Sequence, residues 1–180
     1  TLWAFGEEGK AVEFSLKGEP LQQVQWKEII QPSGVTWDNH GVMYIADELG
    51  DAIYRKVQGD VKLWSSEVRA PKGICFYGNA FYTVQEGDDR LVVLNSSGKV
   101  KEIYPLPVRQ TTKRNRYGGL VCKNGKLYIP ATLSNYIYVL NARGEKLKEI
   151  GGYGSGPGEF TALVSLFQDD EGNLYTTEHY

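Results

Sequence analysis

The fold is decided by a stretch that runs from Pro32 to Asp47 with the sequence PSGVTWDNHGVMYIAD. An apolar run leads into a turn rich in Asp, Asn and Gly, and a second apolar run centred on Tyr44 follows. Aromatic and β-branched residues on both sides of such a turn are typical of two antiparallel strands. The stretch therefore predicts a β-hairpin.

The same hairpin pattern recurs three times further along the chain, beginning at Pro71, Tyr117 and Leu163. Its central aromatic residue recurs with it, and the tyrosines are separated by 38, 46 and 47 residues. An incomplete first copy has a tryptophan at this place, so the five positions are Trp3, Tyr44, Tyr82, Tyr128 and Tyr175. Repeats of about 40–50 residues with several strands each are typical of β-propeller blades. We expect these aromatic side chains to pack between adjacent sheets as core.

Each repeat continues with a second hairpin closed by a Gly-containing turn, which makes a unit of four strands, A to D. The second hairpins are Ala11–Leu16 with Leu21–Trp26, Ala52–Val57 with Val61–Trp64, Leu91–Asn95 with Val100–Tyr104, and Ile137–Asn141 with Lys146–Ile150. The sequence therefore predicts an all-β propeller of four-stranded antiparallel blades. We assign a partial blade to residues 1–31, complete blades to 32–70, 71–116 and 117–162, and a partial blade to 163–180.

Composition and charge agree with this class and narrow the choice of partners. The 180 residues include 21 Gly and 12 Tyr, and the net charge is −2. A net charge so close to zero gives no long-range electrostatic attraction to nucleic acid or to an anionic membrane. We therefore do not expect nucleic acid as a partner. No apolar run approaches the roughly 18 residues that a membrane helix needs.

The two cysteines, Cys75 and Cys122, are too few for a disulfide framework. They are offset by one residue within equivalent strands, and neighbouring residues of a strand point to opposite faces of the sheet. We therefore expect both cysteines to be free and buried.

The segment GYGSGPGEF from Gly152 to Phe160, followed by Ser165 through Tyr175, resembles the linker and blade start of NHL repeats. Asp38 through Asp47 resembles the same element, although Ser165 replaces the first Gly of the family pattern, and Gln85 and Ala131 replace the Asp after strand B. The resemblance implies a propeller of six blades. The linker is similar to those of secreted six-bladed propeller proteins, which implies a periplasmic or extracellular location.

The chain begins at Thr1 and not at Met, so we expect that it is processed, trimmed or an excerpt of a longer protein. The predicted strands start with strand B of one blade and end with strand B of another. If the chain closed into one ring, the terminal blade would contain two B strands, so this order favours an excerpt of a larger ring. The alternative is a four-bladed ring in which the last A and B strands are completed by C and D strands from the beginning of the chain. Open strand edges at both ends predict self-association.

The loops that join strands B and C are acidic and should surround the central channel. The candidate ligand-binding residues in them are Asp47, Glu48, Asp51, Glu86, Asp88 and Asp89. Carboxylates on one face can coordinate a divalent cation such as calcium or accept hydrogen bonds from sugar hydroxyls. The simpler interpretation is that they are solvated turn residues. A rise in melting temperature on addition of calcium would exclude this simpler interpretation.

The longest connection between blades is basic, and it is the second candidate binding loop because it departs most from the repeat. Its candidate residues are Arg109, Lys113, Arg114, Arg116 and Tyr117. Such a cluster can bind phosphate or single-stranded RNA, but the acidic loops around it should repel a polyanion. A solvated loop is the simpler account.

The sequence contains no recognisable catalytic motif. His40 and His179 are the only histidines, and neither lies in a metal-ligand spacing. We therefore expect a binding or scaffold propeller that recognises a protein or carbohydrate ligand through the loops of one face. The alternative, implied by resemblance to propeller enzymes, is a metal-dependent hydrolase or lactonase with its site in the central channel.

Overall fold

A computed structural model describes residues 1–107 and 115–179 of the chain. These residues form strands and turns, and the strands make five antiparallel sheets. None of the described segments is a helix of the length and apolar character needed to cross a membrane. In chain order the strands are β1 (Leu2–Phe5), β2 (Lys10–Phe14), β3 (Pro20–Gln25), β4 (Pro32–Trp37), β5 (Met43–Asp47), β6 (Ala52–Val57), β7 (Asp60–Ser65), β8 (Pro71–Tyr77), β9 (Ala80–Gln85), β10 (Arg90–Leu94), β11 (Val100–Pro105), β12 (Val121–Lys123), β13 (Lys126–Ala131), β14 (Tyr136–Asn141), β15 (Lys146–Gly151), β16 (Leu163–Gln168) and β17 (Leu174–Glu178).

Each complete sheet is a meander in which consecutive strands pair antiparallel. The orders are β4-β5-β6-β7, β8-β9-β10-β11 and β12-β13-β14-β15, with partial sheets β1-β2-β3 before them and β16-β17 after them. In the register of the first complete sheet, Tyr44 lies opposite Thr36 on β4 and Arg55 on β6. The four-stranded antiparallel blades predicted from the repeat are confirmed.

Four hydrophobic clusters join the sheets, and each cluster is shared by two successive sheets. Side chains alternate between the faces of a strand. On β5, Tyr44 and Ala46 therefore pack toward the following sheet, whereas Met43 and Ile45 pack toward the preceding one. Because the inner strands are covered on both faces, they read as unbroken apolar runs. The sheets lie face to face in succession, as propeller blades do.

Glycines allow the innermost strands to approach one another. A β-carbon built on Gly34 would lie 2.5 Å from the Cα of Gly73, and one built on Gly73 would lie 2.8 Å from the Cα of Gly119. These three residues, here called the axis glycines, occupy equivalent positions in three blades. Gly73 also has a φ of +79°, a conformation that other residues adopt only with strain. Ser165 takes the equivalent place in the last sheet.

The expectation that Cys75 and Cys122 are free is wrong, because the two residues form a disulfide with a Cα–Cα distance of 5.7 Å. Cys75 lies opposite Tyr82 in its sheet, whereas Cys122 lies opposite Leu127, one residue out of register with Tyr128. The two side chains do point to opposite faces of their own sheets. In stacked blades, however, the front of one sheet meets the back of the next, so opposite faces bring the sulfur atoms together. The bond joins strand A of one blade to strand A of its neighbour.

The two end sheets each leave apolar side chains uncovered. Tyr44, Tyr82 and Tyr128 are buried, but the equivalent Tyr175 is 55% exposed and its neighbour Phe167 is 62% exposed. The sheet β16-β17 forms no strand pairing with β1-β2-β3, so the pairing needed for a closed four-bladed ring is not formed among the described residues. Self-association through these faces stays a prediction, and the exposed rings favour it.

Candidate functional site

The loops between strands B and C lie beside the connections that lead from strand D to the next strand A, on what we call the loop face. Backbone hydrogen bonds tie the two kinds of segment together. The amide of Glu48 donates to the carbonyl of Gln31 at 2.9 Å, and the amide of Thr132 donates to the carbonyl of Arg116 at 2.8 Å. The acidic loops and the basic connection therefore share one face.

A pocket of about 410 Å³ opens on the loop face where the A strands converge, and we call it the channel-mouth pocket. Four of the predicted ligand-binding residues line this pocket: Glu48, Glu86, Arg116 and Tyr117. The residue that precedes each axis glycine, or its equivalent, also lines it; these residues are Ser33, Lys72, Gly118 and Val164.

Lys72 lies at the centre of a chain of charges in the channel-mouth pocket. Its Nζ is 2.5 Å from Oε1 of Glu48 and 3.2 Å from Oε2 of Glu86. The Nε of Arg116 is 3.7 Å from Oε1 of Glu86. The side chains of Lys72, Glu48 and Glu86 are 22%, 17% and 21% exposed, so solvent screens their attraction less than it screens the pair of Arg116, which is 74% exposed. The pocket thus contains two cations and two carboxylates that neutralise one another.

Asp47, the acidic residue at the end of β5, has its carboxylate oxygens committed to the backbone. Its side chain is fully buried and accepts hydrogen bonds from the amides of Ile30 at 2.9 Å and Gln31 at 2.8 Å. Gln85 occupies the equivalent position and accepts a hydrogen bond from the amide of Arg69 at 2.8 Å. The last residue of strand B therefore holds the entering connection in place in these two blades, and glutamine can replace aspartate there.

Asp51 and Asp89 occupy a second repeated position, the residue before strand C, where φ is +49° in both. Oδ1 of Asp51 accepts a hydrogen bond from the amide of Ala70 at 2.7 Å, and Oδ1 of Asp89 accepts one from the hydroxyl of Tyr117 at 2.6 Å. Asn135, the equivalent residue in the next blade, accepts a hydrogen bond from the amide of Leu163 at 3.0 Å. These side chains link each blade to the entry of the next one.

Tyr117, predicted as a ligand contact, is buried between blades and only 3% exposed. Burial raises the pKa of its phenol above the ordinary value, and the hydrogen bond to Asp89 with the charge of that carboxylate raises it further. The phenol therefore stays protonated and remains a hydrogen-bond donor to Asp89. Its ring supports the wall of the channel-mouth pocket.

Three of the remaining predicted site residues, Arg109, Lys113 and Arg114, lie outside the described residues. The basic connection that contains them starts and ends on the loop face, because the amide of Leu106 donates to the carbonyl of Asp89 at 2.7 Å and Arg116 is bonded to Thr132. Asp88 is exposed on the same face and lines a shallow pocket with Asp51 and Glu86.

Lys72 is the site residue that the sequence reasoning missed. The repeat could have identified Lys72, because the residue before each axis glycine, or its equivalent, lines the channel-mouth pocket. Among residues 1–107 and 115–179, no group of three or more His, Cys, Asp and Glu side chains is placed to hold a metal ion. The calcium site stays a prediction, and the melting temperature with and without calcium remains its test.

We expect Asp47→Ala to lower the free energy of unfolding by about 3 kcal/mol, since it leaves two amides without their charged acceptor. Thermal unfolding followed by circular dichroism measures this as a fall in Tm of several degrees. Asp88→Ala is the matched control on the same face, where an exposed carboxylate should change stability by less than about 0.5 kcal/mol. Equal effects of the two substitutions would contradict the structural role of Asp47.

The stacked four-stranded sheets and the pocket where they converge define this chain as part of a β-propeller. Residues 109–178 match the family DUF5128, which is described as a 6-bladed beta-propeller. No curated protein sequence matches the chain.

Solved structures of low sequence identity share the fold. Virginiamycin B lyase from Staphylococcus aureus superimposes with a TM-score of 0.68 at 16% identity, over 94% of this chain and 56% of the lyase. The Swd1 beta-propeller domain from Myceliophteria thermophila gives 0.65 at 16% identity, over 95% and 56% of the two chains. Glutaminyl cyclase from Myxococcus xanthus gives 0.67 at 14% identity, over 94% and 77%. The chain spans about half the length of the lyase, and these likenesses show the fold alone.

Proposed function

We propose that this propeller is a binding module and that its ligand is a polypeptide segment held in the channel-mouth pocket. The observation that carries the proposal is the chain of four alternating charges, Glu48, Lys72, Glu86 and Arg116, along one wall of that pocket. A polypeptide offers groups of both signs at short spacing, which such a wall can pair one by one. A neutral sugar has no charge to match it.

The weakest link in this chain of charges is the contact between Arg116 and Glu86. Its atoms are 3.7 Å apart and the arginine is 74% exposed, so little free energy is lost when they separate. A basic group of the ligand can then pair with Glu86, while Arg116 turns to an acidic group of the same ligand. Lys72 holds both glutamates in position during this exchange.

The test is a selection of displayed peptides on the immobilised protein, followed by measurement of Kd for the enriched peptides by fluorescence anisotropy. We expect the enriched peptides to carry at least one basic and one acidic residue. Glu86→Gln should weaken their binding by at least about tenfold, because it removes the carboxylate that pairs with the basic group of the ligand. Lys72→Met should have an effect of similar size, because the two glutamates lose the cation that holds them in position.

Asp88→Asn is the control, because it removes one charge from the loop face without touching the chain of charges in the pocket. The proposal fails if no peptide is enriched, or if Asp88→Asn weakens binding as much as Glu86→Gln does. A glycan array probed with the same variants covers the carbohydrate alternative. A glycan that binds in a Lys72-dependent manner, in the absence of such a peptide, would replace the polypeptide as the ligand of this face.

We further propose that the protein works in an oxidising compartment, either the periplasm or the extracellular space. The disulfide between Cys75 and Cys122 supports this location, since disulfides persist in oxidising compartments and are rare where thiols are kept reduced. The metal-dependent hydrolase or lactonase remains an alternative that no particular arrangement of the described residues favours.

A further inference from the structure

A second pocket, of about 400 Å³, opens on the face opposite the loop face. This face, here called the turn face, is formed by the turns between strands A and B and between strands C and D. The pocket lies between the sheets β4-β7 and β8-β11, and Asn39, Asn79 and Ser96 stand at its rim. We call it the turn-face pocket.

The equivalent gap is closed at the next two interfaces between blades. Tyr77 reaches across the following interface, where its hydroxyl lies 3.3 Å from the position that a β-carbon would take on Gly125. Lys123 reaches across the one after that, and its Nζ donates to Oδ1 of Asp170 at 2.8 Å and to the carbonyl of Asp169. Tyr77 and Lys123 occupy the same position of the repeat, two residues after the strand-A residue that lies opposite the central tyrosine of strand B. One repeated position therefore decides whether the gap is filled.

At the open interface this position is Asp38, which folds back onto its own turn. Its Oδ1 accepts hydrogen bonds from the amides of His40 and Val42, both at 2.9 Å, and its Oδ2 accepts one from the hydroxyl of Tyr44 at 3.1 Å. Burial and the neighbouring Asp38 raise the pKa of Tyr44 to about 12, so this phenol keeps the proton that it donates. The carboxylate of Asp38 is thus satisfied within its own blade, and it does not reach across the gap to the next blade.

The turn-face pocket has an aromatic floor and a polar rim. The partly exposed ring of Phe76 forms the floor, and the buried ring of Phe81 supports it at a centroid distance of 4.7 Å. At the rim, Nδ2 of Asn39 donates to Oδ1 of Asn79 at 3.4 Å. This bond leaves the carbonyl oxygen of Asn39 as an acceptor and the amide nitrogen of Asn79 as a donor. The rim therefore presents an acceptor and a donor side by side.

We infer that the turn-face pocket binds a neutral pyranose sugar. The apolar C–H face of such a ring can lie on the phenylalanine floor, while its neighbouring hydroxyls pair with the two asparagines and Ser96. An apolar ligand would cover the free amide groups without pairing them, which is unfavourable. A basic ligand would find no free carboxylate, because Asp38 is already satisfied within its own turn. His40 also lines the pocket and could pair with an acidic ligand, so the charged probe in the titration is an acidic sugar.

The test is a nuclear magnetic resonance titration of the isotope-labelled protein with glucose, galactose and N-acetylglucosamine. Glucuronate serves as the charged probe and indole as the apolar probe. We expect at least one of the three neutral sugars to cause saturable shifts of the amide signals of Asn39, Asn79 and Ser96. Asn79→Gly should weaken that sugar about tenfold, since it removes the amide but keeps a residue that tolerates the φ of +62°.

Asn124→Gly is the matched control, because Asn124 has a φ of +51° in the equivalent turn of the next blade and does not line the pocket. Sugar binding should be unchanged in this variant and in Lys72→Met, which alters only the loop face. The inference is overturned if none of the neutral sugars gives saturable shifts at this pocket, if indole or glucuronate binds there more tightly, or if Asn124→Gly weakens the sugar as much as Asn79→Gly. Because the two pockets lie on opposite faces, neither result depends on the proposed peptide site.

Discussion

Gly73→Ala is expected to lower the free energy of unfolding by about 3 to 4 kcal/mol. Part of this loss is local, because φ at Gly73 is +79° and the left-handed region costs an alanine about 1–2 kcal/mol. The rest arises because the new methyl group would lie 2.8 Å from the Cα of Gly119 and the amide nitrogen of Leu120. Those atoms belong to the backbone of the next blade, so the blades themselves must move apart.

Chemical denaturation gives this free energy directly, and the fall in Tm should be about 10 °C. Gly41→Ala is the matched control, because Gly41 has a similar φ of +74° but nothing within 4 Å of its β-carbon position. It should lose only the local cost of about 1–2 kcal/mol. If the two variants are equally stable, the axis glycines do not pack as described.

Removal of the disulfide, by Cys75→Ala together with Cys122→Ala, is expected to lower the free energy of unfolding by about 4 kcal/mol. The two residues are separated by 47 positions in the sequence, and a crosslink that closes a loop of this size restricts the unfolded chain by about that amount. Cys75 is buried, only 7% exposed, and alanine introduces no polar group at this buried position. Thermal unfolding should show a Tm about 10 °C lower than that of the oxidised wild type.

A reducing agent provides the control for the disulfide. It should lower the Tm of the wild type toward that of the double variant and leave the Tm of the double variant unchanged. A wild-type Tm that does not respond to reduction of a chemically accessible bond would show that the bond contributes little to the folded state.

The repeat was sufficient to predict the blades, because both of its determinants are local. Alternating burial on two faces makes each inner strand apolar throughout, as at Met43 to Ala46, and turn residues such as Asn79 and Asn124 mark where each hairpin reverses. Since four copies carry the same pattern, the spacing alone indicated a propeller.

The disulfide could not be predicted in the same way, because it depends on how sheets stack. The repeat correctly predicts that the side chains of Cys75 and Cys122 point to opposite faces of their sheets. Within a single sheet, side chains on opposite faces are far apart, so the repeat alone predicts two free cysteines. In a stack of blades, opposite faces of consecutive sheets are the surfaces in contact. Only the three-dimensional arrangement reverses the conclusion.

The candidate site was predicted in part for a related reason. Glu48 and Glu86 do meet in the channel-mouth pocket, because the B–C loops emerge on the same face, and Arg116 joins them from the connection that ends on that face. Asp47, Asp51 and Asp89 are acidic residues of the same loops as the two glutamates, yet their oxygens accept hydrogen bonds from neighbouring connections. A shift of one position along the loop decides whether a carboxylate faces solvent or accepts hydrogen bonds from the backbone. The presence of acidic residues in the sequence does not reveal which of the two occurs.

The convergence of the blades on one axis, on which both proposed sites depend, is tested most directly by proton–proton contacts between the axis glycines. A nuclear Overhauser spectrum should show cross-peaks between the α-protons of Gly34 and Gly73 and between those of Gly73 and Gly119, since these residues nearly touch. They are far apart in sequence and lie in different sheets, so only blades that meet at an axis bring them together. Absence of both cross-peaks, with contacts instead between the strands of Tyr44 and Tyr82 in a single continuous sheet, would contradict the account.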